Sequence, residues 1–436
     1  MVEGSFHKRW MPRIHEGEGP SVLLATVWLF FLLLGYFVIR PVRETLGSLV
    51  EAGDLKHLFY ASFLTMLAAV PAYGILVNTL SRRWLVRVVY QAFAICLVIF
   101  WVFLRSDSEV VQAWTAWVLF VWISFFGIFA TTVFWSVVAD LFSSSQAKRL
   151  FGFIAAGGTV GALSGSLLTS QLATLLTKDQ FILLPIVVIE LGLLCAWMLE
   201  KQAKVLAQAD RHSDVVDLEQ TVSPARGGWL SALTHILRSP YLQFICLFIF
   251  FVQFCGTQMY FEQAAIVKAA LPEESDRTQL FANIDLATQV LTLLGQLFLS
   301  SLVLRFGGVA IALMVLPVIY LGSFSSLALN SSLQVMVVAV VIGRSVGYGI
   351  TVPAREVLFT VVKREDKYKA KGFIDTVVLR GSDAASASAF TGLADLGLRS
   401  LNLCLLPVVV IWLFVSWRLG RLQEALADSL ETEPEE

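Results

Sequence analysis

The chain has 436 residues, 57% of them hydrophobic and 15% charged, with a mean hydropathy of +0.74. These values lie far outside the soluble globular range and mark an all-α integral membrane protein. At about 20 residues per crossing helix, the apolar residues furnish roughly twelve spans and leave no sizeable soluble domain. The 32 Lys and Arg nearly cancel the 33 Asp and Glu, which excludes a nucleic-acid binder with one broad basic face. Cys96, Cys195, Cys246, Cys255 and Cys404 all lie inside apolar runs without a CxxC spacing, so they read as packing residues and neither metal nor redox chemistry is expected.

In chain order, residues 1–20 form a tail, and spans fall near 21–49, 58–80, 84–104, 110–139, 150–176 and 180–199. A polar stretch, 200–238, with Asp210, Asp214, Asp217, Pro224 and Gly227-Gly228, has the composition of a linker. Six further spans follow near 240–268, 280–305, 308–329, 332–362, 372–398 and 399–419, then an acidic tail, 420–436. The eleventh is the least apolar, holding Asp375, Arg380 and Asp383 among many Gly, Ser and Ala residues. All five histidines fall in tails or loops in this reading, which leaves no buried imidazole relay.

With both termini in the cytoplasm, only Lys56, Arg105, Lys178, Lys268, Arg277 and Arg399 of the basic residues lie outside, the bias that the positive-inside rule expects of a multi-pass protein of the cell's inner (plasma) membrane. Two six-helix halves, 21–199 and 239–419, joined by a cytoplasmic linker resemble the major facilitator architecture, whose halves are pseudo-symmetric repeats. Span five begins near FGFI (151–154) after Lys148-Arg149, and span eleven near GFI (372–374) after Lys371, a weak echo between the halves. Gly157, Gly161 and Gly165 place a small residue at every fourth position of span five, which predicts close approach of another helix backbone. The order GGTVG is not GxGxxG, and no GxxxxGK[ST] occurs, so the chain has no loop for hydrolysing ATP itself and reads as a secondary transporter rather than an enzyme.

Function is then sought in ionisable residues that the spans tolerate at a cost. Two groups share a P-x-R-E pattern: Pro41-Val42-Arg43-Glu44 on span one and Pro353-Ala354-Arg355-Glu356 on span ten. Arginine stays charged and pairs bidentately with phosphate or carboxylate, and a neighbouring proline can free backbone groups for a ligand. The competing reading is that Arg40, Arg43 and Arg355 snorkel toward the interfaces. By helical rise, Arg43 lies roughly 33 Å along its helix, while Arg355 lies roughly 12 Å from the end of its own. Glu262 on span seven occupies the position equivalent to Arg43, which suggests a reversible Arg43–Glu262 gate. The cluster Lys363, Arg364, Lys367, Lys369 and Lys371 reads as topogenic.

The strings IRPVRETL (39–46), VFWSVVADLFSSSQAKRLFGFIAAGG (133–158), GTQMYFEQAAIVKAAL (256–271) and VPAREVLF with KAKGFID (352–375) resemble the ATP/ADP antiporter family of plastids and intracellular bacteria. The resemblance implies a major facilitator-like carrier that exchanges nucleotides by alternating access. Arg43 and Arg355 stand where that family carries functional lysines, and Glu262 stands at its glutamate on the seventh helix. A second family glutamate, on the fourth helix, falls near Ile123 or Ser124, so that charge is absent here. The candidate substrate-binding set is Arg43, Arg355, Glu262, Arg40, Glu356 and Asp375, with Trp135 and Tyr260 available to a base. The expected partner is an anionic, nucleotide-like solute; no cofactor is expected, and a monomer suffices. Another organic anion, proton symport through Glu262, and a non-transporting membrane partner remain as alternatives.

Overall fold

The computed structural model describes residues 15, 17–142, 144–210, 236–362 and 374–432. Helices fill it: α1 (Gly19–Leu49), α2 (Ala52–Thr79), α3 (Arg82–Leu104), α4 (Glu109–Leu141), α5 (Ser144–Leu172) and α6 (Lys178–Asp210). From residue 240 onward come α7 (Pro240–Ala270), α8 (Glu274–Leu294, continued by a π turn at Gly295–Leu299) and α9 (Ser300–Leu329). Helix α10 runs from Leu333–Val346 through a π turn at Gly347–Thr351 into Val352–Leu358. Helix α11 comprises a π turn at Ile374–Val378, Leu379–Leu393 and a 3-10 turn at Ala394–Leu396, and α12 is Gly397–Thr432.

Ten stretches among the described residues are long and apolar enough to cross a membrane, the last, Leu379–Ser429, holding both α11 and α12. Helix α2, 28 residues long, is the remaining helix of spanning length. Large apolar side chains on the outside, such as Ile75, Trp114, Phe298, Val338 and Phe414, suit contact with lipid tails.

Three helix limits differ from the sequence reading. Helix α6 runs on to Asp210 and α12 to Thr432, because their polar ends (EKQAKVLAQAD and RLQEALADSLET) are rich in strong helix formers. Helix α2 starts at Ala52, with Asp54 in its first turn against the positive end of the helix dipole. His57 is therefore helical, not in a loop, and it is exposed. Gly372, Phe373, Lys363, Arg364, Lys367, Lys369 and Lys371 lie outside the described residues.

The chain divides into two compact units. The first takes Met1–Leu46, Ala68–Gln220 and Thr278–Leu286; the second takes Gly47–Leu67, Thr221–Arg277 and Ala287–Glu436. In the first, the glycine ladder of α5 lies on the backbone of α1. A Cβ on Gly157 would sit 2.6 Å from the Thr26 carbonyl oxygen, one on Gly165 2.6 Å from that of Leu34, and one on Gly161 against that of Phe30. The predicted close approach is present, and only residues without a side chain permit it. Trp28 meets the rings of Tyr90 and Phe134, and Phe93 those of Trp122 and Phe126, which fill the rest of this core.

In the second unit, Trp412 packs on Phe248 and Tyr320. Gly308 interrupts α9 with φ +70° and ψ −179°, a conformation reserved for glycine, which marks the change of direction expected between the eighth and ninth spans. Two π turns cross at Gly295 and Gly349, where Gln296 Nε2 donates to the Tyr348 carbonyl (3.2 Å).

Just before α1, outside the span, Glu18 is buried against the start of α5. Burial pushes its carboxyl upward, but bonds from Arg149 Nη2 (2.8 Å) and Nη1 (3.2 Å), the His15 N–H (2.9 Å) and Gln146 Nε2 (3.1 Å) outweigh it and hold the carboxyl below its ordinary value. A lowered carboxyl contributes stability that is complete above the unfolded value and is lost as pH falls through the folded one. Glu18→Gln should therefore lower thermal stability in detergent near neutral pH and cost progressively less in acid. An equal cost at every pH would remove the charge from this account.

Candidate functional site

In the first unit, one turn of α1 carries Arg40, Arg43 and Glu44, the spacing that brings side chains three and four apart to one helix face. Arg43 Nη1 donates to Glu44 Oε1 at 3.4 Å, and Arg40 Nε lies 4.0 Å from the same oxygen. Arg40 Nη1 also lies 3.4 Å from Oδ1 of Asp285, midway along α8. Both carboxylates are buried, Glu44 at 3% and Asp285 at 1% exposure, so two cations and two anions compensate each other away from water. The Arg43 guanidinium stands over the ring of Phe120 on α4, 4.4 Å from its centre, and keeps 17% of its side chain exposed.

Neighbouring polar bonds fix this cluster. Thr45 Oγ1 donates to the Pro41 carbonyl (3.0 Å) and shares a 2.8 Å bond with Thr278 Oγ1. Ser170 at the end of α5 donates to Asn283 Oδ1 (2.5 Å) and accepts at its carbonyl from Gln279 Nε2 (3.1 Å). Pro41 does not break α1, whereas on α10 the π turn ends two residues before Pro353.

The remaining sequence-derived candidates occupy several places. In the second unit, Arg355 Nη2 meets Glu356 Oε1 at 3.1 Å, with Glu356 nearly half exposed. Glu262 is fully buried and accepts from Asn402 Nδ2 of α12 at 2.5 Å; Asn402 Nδ2 also donates to the Leu398 carbonyl (3.0 Å). Tyr260 packs its ring on Phe59 of α2, 5.4 Å between centres. Asp375 lies in the π turn opening α11, and its side chain is outside the described residues. In the first unit, Trp135 is half-buried between Phe134 and Phe151. At the place of the family's absent glutamate, Ile123 is fully buried and Ser124 Oγ donates to the Phe120 carbonyl (3.1 Å).

The sequence reading missed Asp285, Asn402 and Phe120. Asp285 had a usable signal, a lone carboxylate in the apolar run FANIDLAT of a predicted span. Asn402 and Phe120 had none, since only the fold brings them to Glu262 and Arg43.

Membrane-length helices with charge clusters inside the units mark a polytopic membrane protein. Residues 21–360 match the sequence profile of the Major Facilitator Superfamily. The chain belongs to that superfamily, and its class is secondary transporter. Two curated relatives are similar along nearly their whole length. ADP,ATP carrier protein 1 of Chlamydia trachomatis is 21% identical, over 96% of this chain and 92% of the relative, and ADP,ATP carrier protein 1 of Chlamydia pneumoniae is 21% identical, over 94% and 92%. Among solved structures, the D-xylose-proton symporter aligns with a TM-score of 0.63 at 13% identity, over 93% of this chain and 97% of that one. The nucleoside transporter NupG aligns with a TM-score of 0.58 at 14% identity, over 93% and 99%. A bacterial homologue of the human lysosomal transporter Spinster, solved inward-facing and unoccupied, also gives 0.58, at 15% identity over 94% and 99%. These three share the fold.

Removing one member of a buried ion pair strands its partner at a cost of about 3–5 kcal/mol. Arg40→Ala and Asp285→Ala should each destabilise the protein on this scale, and the double variant by less than the sum. A double-mutant cycle on unfolding in detergent measures the coupling; additive losses would show that the pair carries none.

Proposed function

We propose that the chain exchanges an anionic, nucleotide-like solute, of the ATP-for-ADP type, by alternating access in the cell's inner membrane, with both termini cytoplasmic. The observation that carries this reading is the end-to-end similarity to the chlamydial ADP,ATP carriers. Residue chemistry supports it: Arg43 offers a partly open guanidinium beside an aromatic ring, and Arg355 offers another next to an exposed carboxylate. In this proposal Arg43 and Arg355 contact the phosphates, and Arg40 and Glu356 belong to the same substrate-binding set. Asp375, Tyr260 and Trp135 complete the surroundings of the solute, and Glu262 serves gating or coupling.

One observation favours a second reading, a proton-coupled carrier. Glu262 is fully buried with a neutral amide, Asn402, at hydrogen-bond distance. A carboxyl in such a place is a natural site for a transported proton.

Purified protein in liposomes tests both. Arg43→Gln and Arg355→Gln should each raise the KM for labelled ATP by about tenfold or more, the scale of a lost charge-assisted hydrogen bond. Unchanged kinetics in both variants would remove these residues from the substrate site. Under the second reading an imposed proton gradient drives uptake without internal nucleotide, and Glu262→Gln abolishes that drive.

A further inference from the structure

Helix α11 meets α7 along a polar seam that no role given above uses. Asp383 Oδ1 accepts from Gln253 Nε2 (2.7 Å) and Thr257 Oγ1 (2.5 Å), and its Oδ2 accepts from Arg380 Nη1 (3.1 Å). One turn on, Gln258 Nε2 donates to the Ser386 carbonyl (2.7 Å), and Ser386 Oγ donates to the Phe254 carbonyl (2.9 Å). Gln253 is roughly 20 Å along α7 from its start, so the seam lies deep in the span, where an ionisable residue marks a functional position.

The two charged members differ in what they have left to offer. Asp383 is buried at 5% side-chain exposure with both oxygens engaged, so its role is internal. Arg380 keeps 20% of its side chain open and gives Asp383 one of its five N–H donors. The open side is not built for lipid: Leu379–Leu393 carries none of the exposed large apolar side chains found on α9 (Phe306, Val318) or α12 (Leu403, Phe414). Its fully exposed residues are Ser388 and Gly392, and Gly381, Ala384 and Ala385 are partly open. A partly exposed guanidinium held at one corner by a buried carboxylate is prepared for an oxyanion.

We propose that Arg380 binds the phosphate portion of the transported anion, and that Asp383, anchored by Gln253 and Thr257, is its positioning residue. The inference rests on the anion-carrier reading above and adds a contact from α11 to it.

The test is binding of inorganic pyrophosphate to the full-length protein in detergent, followed by thermal protection, for the wild type, R380Q, R380K, D383N and R43Q. Arg380→Gln should weaken binding by about tenfold or more, with Arg380→Lys intermediate. Arg380→Lys decides the matter if the glutamine variant does not fold, because it keeps a cation beside Asp383. In liposomes, Asp383→Asn should raise the KM for ATP with little change in maximal rate, a split that a purely structural role would not produce. Wild-type binding in both folded Arg380 variants overturns the proposal, as does an Asp383→Asn effect confined to maximal rate. If Arg43→Gln loses pyrophosphate while Arg380→Gln keeps it, this proposal alone falls. If the wild type binds none, the anion reading falls with it.

Discussion

A charge held among apolar helices costs several kcal/mol unless it is paired, hydrogen-bonded or open to water, and the interior chemistry of this chain follows from that cost. Three arrangements answer it. Glu44 and Asp285 are compensated by Arg40 and Arg43, Asp383 by Arg380 with two neutral donors, and Glu262 by an amide. Each places a fully or nearly buried carboxyl deep in a helix and surrounds it differently.

The arrangement on α1 constrains any transport mechanism. Arg40 and Arg43 face the buried carboxylates of Glu44 and Asp285 there, so under the proposed function an anion arriving at Arg43 adds negative charge beside them. That addition is tolerable only if a carboxylate moves away, a proton arrives, or the anion brings its own cation. The interrupted helices of the second unit fit a machine that rearranges. Three π turns and a glycine break supply places where the backbone ladder is already loosened.

Much of the fold was legible in the sequence because membrane spans are written in composition. Twelve apolar runs and the Gly157, Gly161 and Gly165 ladder needed only hydropathy and small-residue spacing. Helix limits at Asp210 and Thr432 were not legible that way, since polar residues outside a span can still be strong helix formers. For the candidate site, Arg43 and Glu262 stood out as charges in apolar runs, but their surroundings did not. Phe120, Asp285 and Asn402 come from other helices, and no local pattern announces a partner more than a hundred residues away or a ring beneath a guanidinium. Trp135, read as a base-binding candidate, lies between two phenylalanines, a pairing that an aromatic-rich chain conceals.

The most direct measurement is uptake of labelled ATP into liposomes containing the purified protein, either empty or preloaded with ADP. Exchange predicts saturable uptake in preloaded vesicles and almost none in empty ones. Equal uptake into both, or none into either from folded protein, would contradict nucleotide exchange and leave the carrier with another cargo or another driving force.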